Sequence, residues 1–146
     1  MIKEKPSVRL HFLSKFNLDS RERLKAFILV RFRKEKKPLE SLEIIFCDDD
    51  HLIGLNRQFL NHDYYTDILS FPLSAPGKPL IGEIYISIDR VRDNAKNLKS
   101  SFKMELHRVI FHGVLHFCGY KDKSVADIRL MRSKEEKWLK VYMLEA

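Results

Sequence analysis

His112 and His116 stand four residues apart in the stretch VIFHGVLHFCGYKDK, which is apolar apart from these rings between Val109 and Cys118. An i, i+4 offset on a helix puts both imidazoles on one face, the arrangement by which a helix holds a single metal ion. Two partnerless imidazoles would be costly in an apolar helix, and a shared ion satisfies both. Gly113, between them, costs a helix about 1 kcal/mol relative to alanine, which points to close approach of another backbone or ligand. The stretch ends at Cys118-Gly119-Tyr120, where Gly119 is suited to a left-handed helix stop, and Asp122 follows in position to fold back.

The residues around the pair narrow the chemistry. A zinc protease of the H-E-x-x-H type carries its general base directly after the first histidine, and that position is Gly113. A zinc deaminase needs a later P-C-x-x-C, whereas the cysteines here are Cys47 and Cys118 alone. What remains is two helical imidazoles and a later oxygen ligand, a set that leaves coordination positions open for water or a phosphate oxygen.

The elements that must position these groups follow from periodicity. Val8–Leu13 alternates as a half-buried strand, and Asp19 with Glu22 forms a capping-box pattern before a helix with Leu24, Phe27, Ile28 and Phe32 inward. Ser41–Cys47 returns to period two. Asp48-Asp49-Asp50 reads as the cap and acidic first turn of a helix reaching Leu60, rather than as a metal cluster. Thr66–Phe71 and Ile81–Ser87 read as strands joined by a Pro- and Gly-bearing loop. Asp89–Leu98 is expected to be helical with Ile88, Val91, Ala95 and Leu98 inward, and the histidine helix should run from Phe102 to Cys118. Ser124 and Asp127 cap a last helix whose inward face carries Ile128, Met131, Glu135, Trp138 and Tyr142. The order β-α-β-α-β-β-α-α-α predicts a single α/β domain over residues 1–146. Of the remaining polar residues, Glu105 reads as a surface acid, His62 and His107 as solvated, and Asp67 and Ser70 as facing either a cleft or solvent.

Composition bounds the partners. A chain of 146 residues, 45% hydrophobic and 32% charged, fits one globular domain and not disorder. Its net charge of +7, with a pI near 9.4, favours a polyanionic partner. The run Arg31–Lys37 reads as a solvated helix end, where cations offset the dipole whatever the function. Two unpatterned cysteines fit a reducing compartment, the N-terminal stretch lacks a signal-peptide core, and no run approaches membrane-helix length, so a cytoplasmic protein without membrane association is expected.

The string HGVLHFCGYKDKS resembles the H-G-x-L-H-L-x-G-Y-D-H signature of the YbeY family, metal-dependent endoribonucleases of rRNA maturation and ribosome quality control. LNRQFLNHDYYTDILSFP, from Leu55 to Pro72, resembles the family's L-N-x-x-Y-R-x-x-D-x-x-T-D-V-L-S-F block, and IGEIYIS at Ile81–Ser87 its G-D-I-x-I strand. The resemblance implies a small mixed four-stranded sheet with about five helices and a metal cleft made by the histidine helix and the following turn. It implies one zinc-type ion on His112, His116 and Asp122, and cutting of single-stranded RNA in rRNA precursors, including 16S rRNA 3′ end processing, at the ribosome. Water and a ribose 2′-hydroxyl are both open as nucleophile. Two departures stand out: Asp122 occupies the place of the family's third histidine, with Lys121 in place of the preceding aspartate, and Leu60 that of an arginine thought to serve cleavage. Arg57, Lys121 and Lys123 are the cations available to replace that arginine and to bind RNA. The competing expectation is a ribosome-associated RNA- or protein-binding factor with a structural metal, its fourth ligand being Cys118.

Overall fold

A computed structural model describes residues 5–144. The ends of the expected 1–146 domain, and the first residues of the N-terminal stretch, lie outside the described residues. The elements are β1 (Ser7–Phe12), α1 (Arg21–Lys34), β2 (Leu39–Cys47), α2 (Asp49–Leu60), β3 (Ile68–Pro72), β4 (Leu80–Ser87), α3 (Ile88–Asn97), α4 (Phe102–Phe117) and α5 (Val125–Leu144). The four strands form one sheet in the order β1-β2-β4-β3, with β1, β2 and β4 parallel and β3 antiparallel to β4. A mixed four-stranded sheet with five helices is the architecture that the resemblance implies.

Period two along the strands sorts side chains to two faces. On one face, Leu42, Ile44, Phe46, Ile84 and Ile86 pack with residues of α1, α4 and α5 in the main core. On the other, Cys47, Leu52 and Leu69 form a smaller cluster with Leu55, Phe71 and Tyr85, which α2 partly covers. Phe111 anchors the main core, edge-on to Trp138 and Tyr142 and tilted against Phe27. Such contacts add about 0.5–1.5 kcal/mol each beyond burial. They fix α4 between the sheet and α5.

Local signals in the sequence hold at several ends. Asp48 caps α2 by accepting from the His51 amide at 2.8 Å, so the acidic run is a helix start. Asp49 adds a tertiary role: it takes the Arg90 guanidinium through both oxygens and the Ser87 hydroxyl proton. Ser124 and Asp127 exchange side-chain and backbone hydrogen bonds before α5, a reciprocal capping box.

Five expectations are corrected. The Asp19 box does not form, because Ser20 takes a left-handed conformation as N-cap without a side-chain bond, while Glu22 pairs with Lys25. Leu13 lies beyond β1, and the third strand starts at Ile68, since Thr66 and Asp67 belong to the preceding loop. Leu98 is exposed because α3 ends at Asn97 and the chain turns away. Ile128 is exposed as well; the inward face of α5 runs through Met131, Glu135, Trp138, Leu139 and Tyr142.

Candidate metal centre

The last turns of α4 and the segment after it carry the expected ligands, and bring His112 and Asp122 near one another. Ser101 starts α4 by accepting from the Met104 amide. Gly113 then lets the helix lie against the sheet: a Cβ there would come within 2.8 Å of Ile68 Cδ1 and 2.9 Å of Ile84 Cδ1. At the far end Gly119, with φ 103°, donates to the His116 carbonyl, and Tyr120 donates to the Leu115 carbonyl. These two bonds make a Schellman stop that reverses the chain and returns Asp122 toward the helix.

His112 and His116 lie with rings nearly parallel, 8° apart in plane and 6.3 Å between centroids. Each has its Nδ1 engaged. His112 Nδ1 lies 2.6 Å from Glu135 Oε2, and His116 Nδ1 lies 3.2 Å from the Tyr120 carbonyl. A ring that donates through Nδ1 leaves the Nε2 lone pair for a ligand, which is how metal-binding imidazoles are commonly oriented. His112 Nε2 in turn stands 3.5 Å from Asp122 Oδ2. Two donors about 2.1 Å from one tetrahedral ion are about 3.4 Å apart, so this pair fits a shared ion. His116 is the more distant member. Among the described residues no three His, Cys, Asp or Glu side chains are gathered closely enough to hold an ion as they stand. Asp122 is 44% exposed at its side chain.

Behind His112 lies a charged chain the sequence reading missed. Glu135, with a side chain only 3% exposed, joins His112 to Arg108 at 3.3 Å, and Arg108 grips Glu105 through two guanidinium nitrogens. Glu105 is therefore buried and ion-paired, not a surface acid. It lies on the α4 face turned to Arg108 and α5, where only a paired carboxylate is tolerated. Burial alone would lower the His112 pKa, but the hydrogen bond and charge of Glu135, helped by Asp122 and Asp67, raise it. Asp67 is half-buried in the loop before β3, accepting from Asn94 at 3.2 Å; desolvation raises its pKa against the opposing pull of His112. Of its two possible orientations Asp67 takes the inward one.

His107 is likewise not solvated. It is buried, stacks on Tyr142 at 5.1 Å and bonds the Lys103 carbonyl, and burial lowers its pKa. His62 is exposed, as expected. Lys121 and Lys123 flank Asp122 and are exposed. Arg57 is elsewhere engaged, paired with Asp63 beyond the end of α2, and Leu60 is exposed as that helix's last residue. Cys118, the fourth donor that a closed structural site would need, packs against the main core.

Comparison with known proteins places the chain among relatives of one kind. The family model for endoribonuclease YbeY matches residues 14–143. The endoribonuclease YbeY of Flavobacterium johnsoniae is 41% identical over 138 residues, covering 94% of this chain and 99% of that protein. That of Flavobacterium psychrophilum is 55% identical over 108 residues, 74% of this chain and 76% of the relative. The solution structure of TM1509 from Thermotoga maritima superposes with a TM-score of 0.69 at 29% identity, covering 94% of this chain and 90% of that one.

Proposed function

The chain belongs to the YbeY family of endoribonucleases, and on that premise we propose that it cuts single-stranded stretches of rRNA precursors. The proposed setting is the cytoplasm, at the ribosome, with processing of the 16S rRNA 3′ end and ribosome quality control as its tasks. Its cofactor is one zinc-type ion per chain on His112, His116 and Asp122. Among the described residues no helix is long and apolar enough to cross a membrane.

The observation that carries the ligand set is the commitment of both Nδ1 atoms, which leaves both Nε2 atoms as donors, that of His112 3.5 Å from Asp122 Oδ2. Three protein ligands leave a divalent ion open to substrate, where it acts as a Lewis acid on a phosphoryl oxygen or lowers the pKa of a water. The protein's own residues do the positioning. Glu135 accepts from His112 and fixes its tautomer, and Arg108 compensates the charge of Glu135. The Tyr120 carbonyl does the same for His116. Lys121 and Lys123 place two cations beside Asp122 for backbone phosphates. A carboxylate at Asp122 in place of a third imidazole would make the ion a weaker Lewis acid, and the Arg57 guanidinium, one turn before Leu60, is paired with Asp63.

The test pairs metal content with cleavage. Purified protein should carry about one divalent ion per chain, lost in His112→Ala and His116→Ala and weakened in Asp122→Ala. Single-stranded RNA should be cut in a metal-dependent way by the parent but not by His116→Ala, which should still bind RNA. Undiminished metal in both histidine variants would sink the site. Equal inactivity of parent and His116→Ala across several metals and rRNA-derived substrates would replace the nuclease reading with that of a binding factor.

A further inference from the structure

The loop between α2 and β3 presents two tyrosines that the metal centre does not use. Tyr64 and Tyr65 are each 55% exposed, an unusual outlay of aromatic surface beside a polar site. Their backbone is held at both ends. Asn61 closes α2 in a left-handed turn, the buried Asn56 side chain donates from Nδ2 to the Tyr64 carbonyl at 3.0 Å, and the Asp67 carbonyl accepts from the Ser87 amide at 2.9 Å. Each ring also has a planar partner. His62 stacks on Tyr64 at 5.1 Å between centroids and bonds its hydroxyl, and the Arg90 guanidinium lies 5.4 Å from the Tyr65 ring centre. Arg90 is itself fixed by Asp49 and Asp93, so the backing of Tyr65 is rigid.

The loop adjoins the metal centre. Tyr65 is two residues from Asp67, hence within about 7 Å along the chain. Asp67 is close enough to His112 and Glu135 for their charges to act on it. Ile68, the next residue, meets α4 at Gly113. A strand whose phosphate reaches His112 therefore has its neighbouring bases within range of this loop.

We propose that Tyr64 and Tyr65 are a stacking platform for two unpaired bases of an RNA strand flanking the cleavage point. This rests on the nuclease reading and deepens it. A ring already covered on one face and fixed in its backbone loses little freedom when a base covers the other face, and stacking tolerates any base because every base has a π-face. The platform explains selectivity for unpaired strands, since paired bases have no free face to offer.

The experiment is anisotropy binding of a labelled single-stranded hexaribonucleotide, and of a ribose-phosphate chain of equal length lacking bases, in chelator so that the strand stays whole. Cleavage of the hexamer is measured in parallel with added zinc. Replacing either ring, Tyr64→Leu or Tyr65→Leu, should weaken hexamer binding by about 5- to 150-fold, the range for loss of one base–aromatic stack, and leave abasic binding unchanged. Tyr65→Trp should retain binding, and because both rings are exposed the variants should melt with the parent. If the parent cuts RNA but both leucine variants bind the hexamer as tightly, the platform is wrong and the nuclease reading stands. If the variants weaken abasic binding equally, the loop acts on phosphate and the platform is again wrong. A parent that neither binds nor cuts RNA overturns both.

Discussion

Glu135 is the residue on which the candidate centre depends without being a ligand. It is nearly fully buried, and it touches His112 on one side and Arg108 on the other. A carboxylate behind a ligating imidazole fixes the tautomer and makes the ring a better donor, and loss of such a partner typically costs 10–100-fold in metal affinity. Glu135→Gln should therefore lower zinc affinity by about that factor in a chelator competition, with the ion still binding at one per chain. Unchanged affinity would show that Glu135 serves only to pair Arg108. At the other end, Glu105→Leu removes a buried carboxylate and leaves Arg108 half-paired, which should cost about 3–5 kcal/mol in denaturant unfolding. The sequence made the candidate ligands His112 and His116 readable because an i, i+4 histidine pair is a local signal. It hid the partners of Glu135, which lie on another helix, and the burial of Glu105, whose partner Arg108 is one turn along the same helix. Periodicity put Glu135 on the inward face of α5, but it could not show that His112 and Arg108 of α4 meet it there.

At the level of elements, α4 departs from the usual amphipathic helix: Leu106, Val109, Ile110, Phe111, Gly113, Val114 and Leu115 are all buried, so its inward arc is wide. Helical periodicity alone does not say on which side of such a helix Glu105 and His107 fall, whereas capping chemistry at Asp48 and Ser124 was legible because it is confined to one turn. The Asp19 box failed for the converse reason, since a local pattern lost to the left-handed entry at Ser20. Gly113 sets how near α4 lies to the sheet. Gly113→Ala gains about 1 kcal/mol of helix propensity and pays about 1–3 kcal/mol for crowding Ile68 and Ile84, so a net loss of up to about 2 kcal/mol is expected. Gly113→Val should be clearly worse, as it adds two more carbons to a closed gap. Both should also weaken zinc binding, because the same shift moves His112 and His116 away from Asp122. A stabilised alanine variant with full zinc affinity would mean that the Ile side chains rotate aside and the helix position is not set by this contact.

Over the whole molecule, two histidines on α4 give the metal-free protein opposite responses to pH. Burial lowers the His107 pKa, so the unfolded chain binds a proton more tightly there; the stability His107 allows is present above its unfolded value near 6.5 and is lost as pH falls toward its folded one. Glu135 and the nearby aspartates raise the His112 pKa against its burial, so the folded chain holds that proton more tightly; its contribution is full below about 6.5 and is lost as pH rises through the folded value. Asp67, raised by burial, acts in the same sense as His112 from a lower starting point near 3.8. Stability of the metal-free protein should therefore peak near pH 6.5, each histidine limb having a slope of no more than about 1.4 kcal/mol per pH unit. Denaturant melts at half-unit intervals read these slopes directly. His107→Gln should flatten the acid limb and leave the other intact, and Glu135→Gln should flatten the limb above 6.5. Zinc should act on that upper limb too, since an ion bound through His112 requires the neutral ring and makes stability rise with pH where the metal-free protein loses it. An upper limb insensitive to both Glu135→Gln and zinc would disconnect His112 from the buried carboxylate and from the ion together.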